Sequence, residues 1–64
     1  MKGYYKPLRR LLVEAGCEFV RQGKGDHEVW RSPITGRLLS VDRGGGSRHT
    51  ANAILKDAGL PKAF

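Results

Sequence analysis

The chain has 64 residues, and 12 Lys and Arg against 6 Asp and Glu give a formal net charge of +6. That length fits one small domain spanning 1–64 with a modest core, and excludes an enzyme with a separate substrate domain. A single cysteine excludes an intramolecular disulfide and a thiolate metal cluster; with no signal peptide and no apolar run near the roughly 20 residues of a membrane span, a cytoplasmic protein without membrane partners is expected.

Pro7 suits the first turn of a helix, where its missing N–H costs nothing. Leu8, Leu11, Leu12 and Ala15 then recur at i, i+3, i+4 and i+7, an apolar stripe that predicts a helix from about Lys6 to Ala15. Arg9, Arg10 and Glu14 fall mainly on the other side, and Gly16 stops the helix. Cys17 to Arg21 reads as a strand, with Cys17 as a small core residue. Gln22 to Asp26 reads as a turn in which Gly23 and Gly25 supply the turn geometry. His27 to Arg31 is a second strand. Ser32 to Gly36, with Pro33, is a second connection, and Arg37 to Asp42 a third strand.

Gly44 to Ser47 is the most flexible piece expected, and Ser47 or Thr50 can cap the helix that follows. Ala51, Ile54, Leu55 and Ala58 repeat the helical spacing, and Gly59-Leu60-Pro61 ends it. The order is α-β-β-β-α. Short connections predict an α+β fold, a three-stranded antiparallel sheet with both helices on one face.

Alternation sorts the second strand: His27, Val29 and Arg31 share one face, Glu28 and Trp30 the other. Trp30 has the most apolar area to bury, so it belongs under the helices. His27 and Arg31 then go to the open face, with Val29 exposed and Glu28 at the core edge. Tyr4 and Tyr5, near the N-terminus, are expected to pack against the sheet edge or fray rather than stack on bases.

The cations are spread along the chain, which predicts a charged folded surface and a polyanionic partner, most simply nucleic acid. RNA carries its own nucleophile, the 2′-hydroxyl. Cleaving it without a metal needs a base, an acid for the leaving oxygen, and cations for the phosphorane. Histidine ionises near neutral pH and suits both proton transfers. His27 is the candidate catalytic residue; His49, at a helix start, is a weaker second candidate whose charged form the helix dipole opposes. Lys24 beside His27 is the first choice for a phosphate contact. Arg31 shares the face of His27, Arg21 sits across the hairpin, and Arg37, Arg43 and Arg48 extend the RNA-binding set. No cluster of ligand residues calls for a metal or other cofactor.

The helix end Glu14-Ala15-Gly16, the strand Cys17-Glu18-Phe19-Val20-Arg21, the segment Gly25-Asp26-His27 with Trp30-Arg31, and the closing helix His49 to Leu60 together resemble the HicA toxins, small mRNA interferases of HicAB toxin–antitoxin pairs. The resemblance implies a double-stranded-RNA-binding-domain-like fold, endoribonuclease activity on mRNA through one histidine, which falls on His27, and inhibition by a HicB-type antitoxin covering the active face. The chain departs from the family pattern at Asp26, where Ser is common, and after the third strand, where Asp42-Arg43-Gly44-Gly45-Gly46 stands in place of a Pro-bearing segment. The rival readings are a non-catalytic RNA-binding module of the same fold and an interaction protein whose basic face meets an acidic partner.

Overall fold

Apolar stripes decide how the elements meet. The computed structural model describes residues 3–44 and 47–64, so part of the expected flexible run, Gly45 and Gly46, lies outside the described residues. Helix α1 spans Tyr5–Glu14, strand β1 Glu18–Gln22, β2 His27–Arg31, β3 Leu38–Asp42 and helix α2 Arg48–Asp57. The expected α-β-β-β-α order and antiparallel sheet are both present, in the strand order β1-β2-β3. β2 has its expected bounds; α1 and β1 are displaced by one residue and β3 starts one later, the usual uncertainty of element ends.

Both helices bury their stripes against one sheet face. Leu8 and Leu12 of α1 and Ala51, Ile54 and Leu55 of α2 meet Trp30, Leu39 and Val41 of the strands. Leu12, Val41 and Leu55 are completely buried. Trp30 lies under the helices, and His27 and Arg31 are exposed on the other face. Val29 is half-buried rather than exposed.

The two helices end alike. Cys17 N–H donates to Leu12 O at 2.9 Å and Gly16 N–H to Val13 O at 3.0 Å; Leu60 N–H donates to Leu55 O at 2.8 Å and Gly59 N–H to Lys56 O at 3.0 Å. These are paired C-terminal bonds that need a left-handed residue, here Gly16 at φ +88° and Gly59 at φ +82°. They also explain why Cys17 is a buried linker residue ahead of β1 rather than its first member. At α2 the capping is doubled. The fully buried Ser32 hydroxyl donates to Ala58 O at 2.7 Å, and Thr35 Oγ1 donates to Asp57 O at 2.9 Å. The β2–β3 connection is thus a cap for a helix that follows it in sequence. At the other end of α2, Ser47 is the N-cap and accepts from Thr50 N–H at 3.2 Å.

Gly59 is the tighter position. A Cβ there would sit 2.6 Å from Ile34 Cγ2 and 3.1 Å from Thr35 Cγ2, whereas a Cβ on Gly16 would meet only Pro33 Cγ at 3.5 Å. Gly16→Ala should therefore cost about 1–2 kcal/mol from backbone strain alone. Gly59→Ala should cost clearly more, because Ile34 and Thr35 must move and the caps move with them. Urea midpoints of the two variants check the order.

β1 carries an irregularity that the hydropathy pattern does not announce. Phe19 pairs with Trp30 and Arg21 with Val29, so Val20 is an extra residue between them. Without it Phe19 and Arg21 would share a face. With it Phe19 joins the helix side and Arg21 joins the open face of His27.

Candidate nucleic-acid interface and histidine site

The β1–β2 turn is built to hold His27. Gly23 N–H donates to His27 O at 2.8 Å, and His27 N–H donates to Lys24 O at 3.2 Å. Gln22 Nε2 donates to His27 O at 3.0 Å and Gly25 O at 3.2 Å. Gly25 takes φ +62°, a conformation that L side chains adopt rarely. Gly23 is needed for space: a Cβ there would lie 3.1 Å from His27 O and 3.4 Å from His27 Cβ. Any larger residue at 23 pushes directly on the histidine.

The imidazole is exposed, and Nδ1 lies 3.3 Å from Lys24 O. A carbonyl only accepts, so this contact selects the tautomer with the proton on Nδ1. Nε2 then carries the lone pair and is the basic nitrogen. Across the sheet His27 is opposite Asp42 on the same open face. The Asp42 carboxylate is engaged by Gly44 N–H at 2.7 Å.

The expected cations are sorted by the fold. Arg21, opposite Val29, and the exposed Lys24 of the turn lie on or beside the open face near His27. Arg31 shares that face but stands four residues along β2, roughly 13 Å away. Among the described residues Arg21, Lys24, Arg31 and Arg48 make no ion pair. Arg37 lies past the far end of β2, with Nη1 3.6 Å from Asp57 Oδ1. Arg43 turns to the helix side, with Nε 3.8 Å from Glu28 Oε2 and Nη2 3.9 Å from Asp26 Oδ1. Arg48 and His49 are exposed in the first turn of α2. The structure therefore gathers His27, Lys24 and Arg21, extends them to Arg31, and leaves Arg37 and Arg43 apart.

Asp26, the departure beside His27, points to Arg43, whose N–H also donates to Asp26 O at 2.9 Å. It clasps the hairpin turn to the end of β3.

Sequence reasoning set Glu28 at the core edge without a role. The structure makes it the hub beneath the histidine. Glu28 is 8% exposed. Its carboxylate accepts from Trp30 Nε1 at 3.0 Å, and the Tyr5 hydroxyl donates to it from 3.0 Å off Oε2 and 3.1 Å off Oε1. A buried carboxylate needs such partners. The available signal was alternation, which put an acid on the same face as Trp30. Tyr5 is thereby a structural residue, as is Tyr4, whose ring packs 5.1 Å from that of Phe64.

Burial pushes the Tyr5 phenol above its ordinary 10.0, and the hydrogen bond and negative charge of Glu28 push it the same way. Burial likewise raises the Cys17 thiol above 9.0, against a smaller lowering by Ser32. Both groups fold in the neutral form. Their contribution to stability is full below the unfolded values and is lost as pH rises through the folded ones. Denaturation midpoints should begin to fall above about pH 9, and Cys17→Ala followed by Tyr5→Phe should remove the two parts of that fall in turn.

Fold and site together define a small α+β domain that presents one histidine on a hairpin, with cations around it that make no ion pair among the described residues. Residues 5–60 match the family model described as the HicA toxin of bacterial toxin–antitoxin, and the chain belongs to that family. Membership makes it the toxin component of such a pair and implies an antitoxin as partner. No curated protein and no solved structure matches the chain. Among the described residues no helix is long and apolar enough to cross a membrane.

Proposed function

We propose that the chain is a metal-independent endoribonuclease that cleaves mRNA in the cytoplasm, with His27 as its general acid–base residue and a HicB-type antitoxin as its inhibitor. The observation that carries this reading is the Nδ1 contact of His27 with Lys24 O, which leaves a basic Nε2 on an exposed, cationic hairpin. Nε2 takes the proton of a 2′-hydroxyl. The freed O2′ attacks phosphorus, the P–O5′ bond breaks, and the imidazolium returns its proton to the leaving O5′. The products are a 2′,3′-cyclic phosphate and a 5′-hydroxyl, and the histidine ends neutral. Lys24 supplies the charge that stabilises the phosphorane. Arg21 and Arg31 hold flanking phosphates along the open face and Arg48 is an outlying phosphate contact, whereas Arg43 and Arg37 reach a phosphate only by leaving Glu28 and Asp26 or Asp57.

Incubating purified protein with single-stranded RNA in the presence of a chelator tests this directly. Cyclic phosphate and 5′-hydroxyl ends should accumulate with the parent chain. Tight binding with no cleavage would instead assign the non-catalytic RNA-binding module, for which the same basic face suffices.

A further inference from the structure

Near the hairpin turn the open face is polarised across the sheet. Lys24 of the turn is followed by His27 on β2 and then by Asp42 on β3. In the next row Arg21 on β1 is followed by Val29 and then by Ser40. Cations thus stand on the β1 side and oxygen acceptors on the β3 side, with His27 between them. The Arg43 N–H bond to Asp26 O, at 2.9 Å, makes His27–Asp42 a non-hydrogen-bonded pair. Side chains stand closest in such pairs, with Cβ atoms about 4.5–5.5 Å apart. Asp42 Oδ1 accepts from Gly44 N–H at 2.7 Å, which orients the carboxylate, and among the described residues nothing engages Oδ2.

The chemistry of cleavage says what meets that carboxylate. His27 takes a proton from the 2′-hydroxyl of a ribose whose base is attached one carbon away, at C1′. That base therefore lies beside His27. Lys24 and Arg21 draw the phosphates to the β1 side, so the base goes to the β3 side, onto Asp42. Stacking does not select it there. Phe19 belongs to the helix side, its ring edge-on to Trp30 with centroids 5.9 Å apart, and Arg9 lies 5.6 Å from the same indole. Hydrogen bonding to the base edge remains, and in a single strand the Watson–Crick edge is open. An ionised carboxylate accepts and does not donate. Guanine alone presents two adjacent donors on that edge, N1–H and N2–H. Adenine and cytosine set one donor beside an acceptor, and uracil sets its one donor between two acceptors.

We propose that Asp42 is a specificity-determining residue that reads guanine, so that the chain cleaves on the 3′ side of guanosine. The proposal rests on the ribonuclease reading of His27 and names the substrate class for that same site. A carboxylate that only closes the turn after β3, through Gly44 N–H, would give no base preference.

The test is to sequence the 3′ ends that the full chain leaves on a single-stranded RNA of random sequence. Cleavage after guanosine should exceed cleavage after each other nucleotide by about tenfold or more. Asp42→Asn keeps an oxygen for Gly44 N–H and loses the second acceptor, so the preference should largely vanish. Thermal melts establish that the variant folds. A second measurement needs no variant: a defined RNA carries inosine in place of guanosine. Inosine lacks the N2 amino group, and the parent should cut after it about tenfold more slowly. Equal cleavage after all four nucleotides, preference for another base, a guanosine preference unchanged in folded Asp42→Asn, or inosine cut as fast as guanosine each overturns the proposal and leaves the ribonuclease reading standing. No cleavage of any RNA by the parent overturns that reading and this one with it.

Discussion

Replacing His27 with alanine should lower RNA cleavage by about 10²–10⁴-fold, the usual range for removing a positioned acid–base group. The same change should leave stability within about 0.5 kcal/mol, because the side chain is exposed. Among the described residues its one side-chain hydrogen bond is the 3.3 Å contact with Lys24 O, at the surface. That separation of rate from stability is what distinguishes a catalyst from a hairpin decoration. His27→Asn sharpens the comparison, since an amide can still donate to the Lys24 carbonyl but cannot take a proton near neutral pH; it should be as inactive as the alanine variant. His49→Ala should cleave like the parent. Loss of activity there would revive a paired mechanism with one histidine as base and the other as acid. Cleavage undiminished in His27→Ala would remove the histidine mechanism. Gel assays of a labelled RNA together with urea unfolding of each variant give both quantities.

The largest stability effect should come from Glu28→Ala, at about 2–4 kcal/mol. The loss strands the Trp30 Nε1–H, which is buried, and removes the partner of the Tyr5 phenol. Arg43 adds little to the sum, since its half-exposed guanidinium can turn to water or keep Asp26. A chain of this size holds only a few kcal/mol in total, at about 0.05–0.15 kcal/mol per residue. Glu28→Ala should therefore approach the threshold of folding. Glu28→Gln keeps the shape and one acceptor oxygen and should cost less than half as much. Urea midpoints measure both, and an alanine variant as stable as the parent would show that the buried carboxylate contributes nothing. Cleavage by the glutamine variant should stay near the parent's, because Glu28 supports the strand under His27 and lies on the other face from it.

The candidate site was partly legible in the residues themselves. His27 was found by type, by its glycine-flanked turn and by the alternation that gives Trp30 to the core. Its tautomer was not, because that depends on where the Lys24 carbonyl points after the turn closes. The cations were legible only as a set. Arg37 and Arg43 look equivalent to Arg21 in a list of basic residues, yet Asp57 takes the first and Glu28 with Asp26 the second. Arg21 reaches the face of His27 only because Val20 bulges from β1.

By itself the sequence determined the order of elements, the apolar stripes of both helices, their glycine stops, and the side of the sheet on which the histidine would lie. Each of these follows from local periodicity or from a single residue's backbone preference, and neighbours in sequence suffice to state it. The tertiary structure alone decided the Tyr5–Glu28–Trp30 network, the capping of α2 by Ser32 and Thr35, the bulge in β1, and the meeting of Phe19 and Arg9 on Trp30. Tyr5 and Glu28 are 23 residues apart, and Ser32 and Ala58 are 26 apart. Such partners are chosen when packed elements bring unsatisfied polar groups and leftover apolar area together, and no pattern within one element records that choice.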